Sequence, residues 1–157
     1  MPHRKAYRWL TSHLESVHLV MIGLGYAGTS FTWLGEPTAS RAAGLAWLPF
    51  VNEKLFGFAW LITGIVAVTI GISRTANKTL GHAALFFVPT CLAFVFANSW
   101  LIWIIPDNLY QGGSETGYIS AISFYVWSAY ALFAALVWSR YAPVIHAATE
   151  IFDKEGD

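Results

Sequence analysis

Charged side chains are scarce in this chain of 157 residues: Asp, Glu, Lys and Arg make up 11% of it, against about 25% in an ordinary soluble domain. So few ions cannot cover a water-facing surface, and an ordinary soluble globule is excluded. Nine basic and nine acidic residues cancel. With no basic domain to neutralise a phosphate backbone, nucleic acid is not an expected partner. Cysteine is nearly absent as well. Cys91 lies in an apolar run and has no second thiol in the chain to pair with, which excludes an intramolecular disulfide and CxxC redox chemistry. The long apolar runs hold no Asp, Glu, Lys or Arg, whereas ion-coupled transporters and proton relays place such groups there. Ser120, Ser123 and Ser128 have no His or Asp at the same depth, so they read as helix-to-helix hydrogen-bonding groups rather than nucleophiles. An enzyme is not expected.

What is abundant points to lipid. Apolar residues make up 56% of the chain, which has 8 Trp, 7 Tyr and 11 Phe, and such rings favour the bilayer–water interface. Spanning about 30 Å of hydrocarbon takes roughly 20 apolar residues in a helix, with about 17 as the lower end. Four runs qualify: residues 17–34, 55–72, 82–105 and 118–139. The expected fold is therefore all-α, a four-helix transmembrane bundle forming one integral membrane domain over residues 1–157. Arg4, Lys5, Arg8, Arg74, Lys78, Arg140 and Lys154 fall on one side of these spans, and only Arg41 and Lys54 on the other. Because cytoplasmic loops carry the excess of Lys and Arg, both termini are expected in the cytoplasm, with the chain in the cytoplasmic (inner) membrane. The first run reads as a retained span rather than a cleaved signal, since its leader is long and carries Glu15 and no A-x-A site follows.

Outside the spans, Ala6, Leu10, His13, Leu14 and Val17 recur at helical spacing. They form an N-terminal amphipathic segment, either an interfacial helix or a plain extension of the first span. Ser40 is placed to cap a short interfacial helix in the first outer loop, ending before Pro49. Residues 106–117 read as a polar turn, and the acidic tail from Glu150 to Asp157 as solvated.

Small residues supply the expected helix contacts. Gly57, Gly64 and Gly71 are seven apart and drift only about 20° per heptad, forming one groove for a neighbouring helix. Gly25, Gly28, Thr29 and Thr32 make a similar stripe on the first span, Thr90, Ala93 and Ala97 on the third, and Ser128, Ala131 and Ala135 on the fourth. Pro89 should bend the third span. Asn98 is the most polar intramembrane side chain and is expected to make an interhelical hydrogen bond, with pore lining as the sharper alternative.

Two short motifs lead nowhere. Gly23, Gly25 and Gly28 spell GxGxxG, but inside an uncharged span the motif offers a phosphate no counter-charge. Asn77, Lys78 and Thr79 spell a glycosylation sequon on the cytoplasmic side. Histidine is the one residue type that could hold a cofactor. His13, His18, His82 and His146 fall near the inner ends of the spans, and His18 and His82 are the pair that could ligate a haem between facing helices. Interfacial histidines that keep their polar edge in water are the commoner case, so no cofactor is expected.

The stretch Phe56-Gly57-Phe58-Ala59-Trp60-Leu61-Ile62-Thr63-Gly64-Ile65, followed by two aromatic-rich spans and a Trp near the end of the last, resembles small four-span membrane proteins of actinobacterial bacteriophages. The likeness covers roughly residues 45 to 140. Some of those proteins are proposed to act as holins, so the resemblance implies a membrane-perturbing role and no catalytic residue. The expected function is non-enzymatic helix association, holin-like in its specific form. An accessory subunit of a larger membrane complex and a haem-binding electron carrier are the alternatives. Lipid and other transmembrane helices, from further copies or from a larger complex, are the expected partners.

Overall fold

The computed structural model describes residues 2–73, 75–105 and 113–154, with side chains described for 13–73, 75–105, 113–141, 143, 144, 147 and 151. It is all-helical, with α1 over Pro2–Leu34, α2 over Ala39–Leu45, α3 over Glu53–Ile72, α4 over Lys78–Ile104 and α5 over Gly117–Lys154. Every helix except α2 is long and apolar enough to cross a bilayer. At about 1.5 Å per residue, the 33 residues of α1 and 38 of α5 exceed the hydrocarbon thickness, so both helices reach beyond it. The amphipathic N-terminal segment is thus a direct continuation of the first span.

The four long helices run up and down. We call the end holding the start of α1, the α3–α4 turn and the finish of α5 the terminal end, and the opposite one the loop end. α1 packs chiefly on α3, and α4 chiefly on α5. The α1–α3 seam is set by glycine. A Cβ on Gly57 would meet Leu34, one on Gly64 would lie 2.6 Å from the Gly23 carbonyl oxygen and 2.7 Å from the Ala27 nitrogen, and one on Gly71 would meet Ser16 and Val20. Where lipid is as apolar as leucine, association rests on such close approach and dispersion.

The partner face of α1 is not the one the small-residue stripe suggested. Gly25 and Gly28 are exposed, and a Cβ on either would meet nothing within 4 Å. Among its described side chains, the buried positions are Leu19, Gly23, Tyr26, Ser30 and Trp33. At 100° per residue, Gly25 and Gly28 fall on the opposite side from Gly23. The large rings of Tyr26 and Trp33 decide the orientation: the Tyr26 ring meets Trp60 edge-on at 4.5 Å, and Trp33 packs on Phe56 and Phe124. Thr29 and Thr32 bond carbonyls of their own helix.

Pro89 creates a need that Tyr26 meets. Proline has no N–H, so the carbonyl four residues earlier, that of Leu85, loses its intrahelical donor. In lipid such an orphan is costly. The Tyr26 hydroxyl donates to the Leu85 carbonyl at 2.8 Å, in a buried bond that ties α1 to α4. Tyr26→Phe should lower stability by about 1 kcal/mol, and by less in a Pro89→Ala background, where Leu85 regains its backbone donor. A double-mutant cycle read by thermal unfolding in detergent checks this; equal losses in both backgrounds would contradict it.

Helix ends are closed by side chains. Thr38, rather than the expected Ser40, caps α2, its hydroxyl accepting from the Arg41 nitrogen. Asn52 and Asn77 cap α3 and α4, so the sequon asparagine has a local structural use. The Lys78 ammonium donates to the carbonyls of Ile70, Gly71 and Ser73 at the C-terminus of α3, where a cation suits the helix dipole. At the loop end, α2 does more than rest on the interface: Gly44 and Leu45 are buried, with Gly44 against Phe96 of α4. Of the polar turn expected over 106–117, residues 106–112 lie outside the described residues; Gly113 and Gly117 pack on the α4 backbone near Ser99 and Phe96.

Candidate functional site: an enclosed histidine pair

Polar side chains gather inside the terminal end. Gly81 of α4 has no side chain, and a Cβ there would come within 3.0 Å of Leu19. That gap lets α1 close on α4 and sets His82 beside His18, with ring centroids 5.6 Å apart and planes inclined at 32°. His82 is 1% exposed, with both ring nitrogens enclosed and without a hydrogen bond. Its Nε2 stands 3.5 Å from Glu15 Oε1, an ion-pair distance rather than a good hydrogen bond. Glu15 and His18 are three apart on α1 and therefore share a face.

α5 closes the group from the other side. His18 Nε2 and the Tyr130 hydroxyl are 2.8 Å apart, while His18 Nδ1 is buried without a partner. Trp138 lies against the His18 ring at 6.2 Å. The order in space is Glu15, His82, His18, Tyr130, one carboxylate, two imidazoles and a phenol drawn from three helices. Such a series can hold and exchange protons. Of the pair considered above for haem, His18 Nε2 is engaged by Tyr130, and the two rings lie directly against each other, 5.6 Å apart and tilted at 32°, rather than flanking a gap. Among the described residues, no group of three or more His, Cys, Asp or Glu is arranged to hold a metal ion.

His82 is therefore turned into the bundle, not held at an interface with its polar edge in water. His146 lies outside the residues whose side chains are described. The other singled-out residues lie apart from this group. Ala93 and Ala97, with Thr90 and Ser128, line an open groove of about 590 Å³ between α4 and α5. Thr90 Oγ1 lies 3.1 Å from Ser128 Oγ, which crosses that seam as a hydrogen bond. Asn98 makes no such crossing: its Nδ2 donates to the Phe94 carbonyl of its own helix at 2.8 Å. A four-residue back-bond is available to any helical side chain of this reach, and it satisfies Asn98 without a partner helix.

A second polar group, at the loop end, escaped sequence reasoning. Arg41 donates to the Thr32 carbonyl and to Thr38 Oγ1, stands 3.6 Å from Glu53 and lies 5.1 Å over the Trp33 ring. It ties the end of α1 to α2 and the start of α3.

Four apolar helices around a buried core, with polar clusters enclosed at both ends, define a polytopic membrane protein of the four-helix-bundle type. No family model matches the chain, and no curated protein or solved structure matches it.

Proposed function

We propose that this chain acts without catalysis, through helix association in the cytoplasmic membrane, and that its specific role is holin-like perturbation of that membrane. The observation that carries the association reading is the uneven burial of its helices. In the most apolar window of α4, 44% of residues are buried inside the chain; in that of α5 the figure is 17%. The buried positions along the α5 span are small, such as Ser128, Ala131 and Ala134, with Phe124 partly buried against the core, while Ile122, Tyr125, Val126 and Phe133 turn outward. A span that contributes so little to its own bundle has most of its surface free for further helices. The holin-like role rests on the resemblance of residues 45 to 140 to phage four-span proteins. The seven-to-two distribution of Lys and Arg supports cytoplasmic termini; a reporter fused after Asp157 and active only outside the cytoplasm would overturn that orientation.

The test is induction in a bacterial host with continuous readout of membrane potential. A holin-like protein should collapse the potential abruptly after a delay, and Gly64→Leu should abolish or retime the collapse at equal protein level. Sustained growth and an unchanged potential at high expression would overturn this role. Co-purification with a larger membrane complex would then establish the accessory subunit in its place.

A further inference from the structure

We propose that the open groove between α4 and α5 is the surface on which two copies of this chain pair, with the Tyr125 hydroxyl of one copy bonded to that of the other across a two-fold axis. The inference rests on the association reading above and names its surface and its partner, a second copy.

Tyr125 is what an acyl chain cannot serve. It lines the groove beside Phe94 and Leu132, it is 69% exposed, and among the described residues its hydroxyl has no hydrogen-bond partner. The membrane segment of α5 runs 25 residues from Gly117 to Tyr141, so its middle is Ala129 and Tyr125 stands about 6 Å away along the axis. The hydrocarbon extends roughly 15 Å either way from the midplane. Acyl chains offer no acceptor at that depth, and a polar group left unpaired there is costly. Whatever covers the groove must therefore bring a hydrogen-bonding group to the depth of Tyr125. The other tyrosine near the middle of α5, Tyr130, makes no such demand, because its hydroxyl is paired with His18.

A second copy meets that demand by symmetry. A two-fold axis along the bilayer normal brings each residue to the depth of its own counterpart, and a phenol both donates and accepts. Tyr125 is thus its own complement, one hydroxyl donating and the other accepting. The shape of the face agrees. Ala93, Ala97 and Ala129 line the groove with small side chains, while Phe94 and Tyr125 stand out from the same face, 67% and 69% exposed. Small residues admit the close approach on which helix association in lipid depends, and the rings of one copy have the groove of the other to enter. The exposed face of α1 around Gly25 and Gly28 is just as small-sided. It carries no hydroxyl in need, since Thr29 and Thr32 donate to carbonyls of their own helix.

Energy transfer between full-length chains carrying a donor or an acceptor dye, reconstituted in phosphatidylcholine vesicles over a range of protein-to-lipid ratios, tests the pairing. Wild-type transfer should rise with that ratio and saturate at the level of a pair. Ala129→Leu fills the groove from an exposed position, which leaves the core of the bundle untouched, and should weaken pairing about tenfold. Tyr125→Phe removes one bond of the average strength found between membrane helices and should weaken it about threefold. Gly25→Leu, on the exposed face of α1, should leave it unchanged. Pairing that survives either Ala129→Leu or Tyr125→Phe undiminished would put the contact elsewhere and overturn the proposal, with the association reading left standing. Wild-type chains that stay single at every ratio would overturn self-pairing altogether and give the groove to lipid or to a different protein.

Discussion

Gly64→Leu is expected to produce the largest loss of stability of any single apolar substitution in the bundle. The atoms a side chain there would meet are backbone, the Gly23 carbonyl oxygen at 2.6 Å and the Ala27 nitrogen at 2.7 Å from the first carbon alone. Backbone cannot rotate away as a flexible side chain can, so α1 must move off α3. Overpacking of a close contact costs about 1 to 3 kcal/mol, occasionally more, and here the upper part of that range applies. Gly25→Leu is the matched control: the same change on the same kind of helix, at a position where a Cβ meets nothing within 4 Å. It should alter stability by less than about 0.5 kcal/mol. Asn98→Ala removes only a bond within α4 and should cost no more than the roughly 0.6 kcal/mol average of a polar contact in a membrane. Unfolding by SDS titration, followed by circular dichroism, measures all three. Equal losses for Gly64→Leu and Gly25→Leu would show that the α1–α3 seam is not where the bundle is held.

The contrast between those glycines shows what the sequence could and could not reveal. The four spans were legible because hydrocarbon thickness sets a length and excludes charge, and both are written in the order of residues. The groove of Gly57, Gly64 and Gly71 was legible because its heptad spacing keeps one face. The matching face of α1 was not. In water, an apolar stripe betrays the buried side of a helix. In lipid both sides are apolar, and the chain carries two small-residue stripes on α1, one through Gly23, Ala27 and Ser30 and one through Gly25, Gly28 and Thr32. The bulky residues decide between them, because Leu19, Tyr26 and Trp33 can fill the core only if Gly23 faces α3.

Polar groups were harder still. That His18 and His82 lie near one end of the spans could be read from their positions, but a ring one turn inside a helix can point to water or to the core. Gly81, which lets α1 approach α4, makes the difference, and it drew no attention as a single glycine outside any stripe. The bond from Tyr26 to Leu85 had a signal that could have been used. Pro89 names its own orphaned carbonyl four residues back, and a hydroxyl on a neighbouring span is the donor to seek. Asn98 misled because polarity inside a span suggests a partner helix, while a carbonyl of its own helix is always nearer.

Arg41→Ala is expected to be the most damaging substitution outside the spans. Counted by charge alone, Arg41 is one of two cations on the sparsely charged side. In the fold it is the shared partner of α1, α2 and α3. Its guanidinium serves the Thr32 carbonyl in the last turn of α1, where a cation also suits the helix dipole. It stands 3.6 Å from Glu53, whose side chain is 9% exposed, and lies over Trp33. Removing it leaves a buried carboxylate unpaired. Breaking a buried pair costs about 3 to 5 kcal/mol, but Arg41 is 21% exposed and the contact is long, so about 2 to 3 kcal/mol is expected. Adding Glu53→Gln to Arg41→Ala should recover part of the loss, because the stranded charge is then gone. Arg41→Lys should recover less than wild-type stability, since one ammonium cannot serve a carbonyl, a hydroxyl and a carboxylate in the plane of a fork. Thermal unfolding of the four proteins in the same detergent separates these effects. A double variant no more stable than Arg41→Ala would show that Glu53 is satisfied by solvent, and that Arg41 holds the loop end through its helix cap and Trp33 alone.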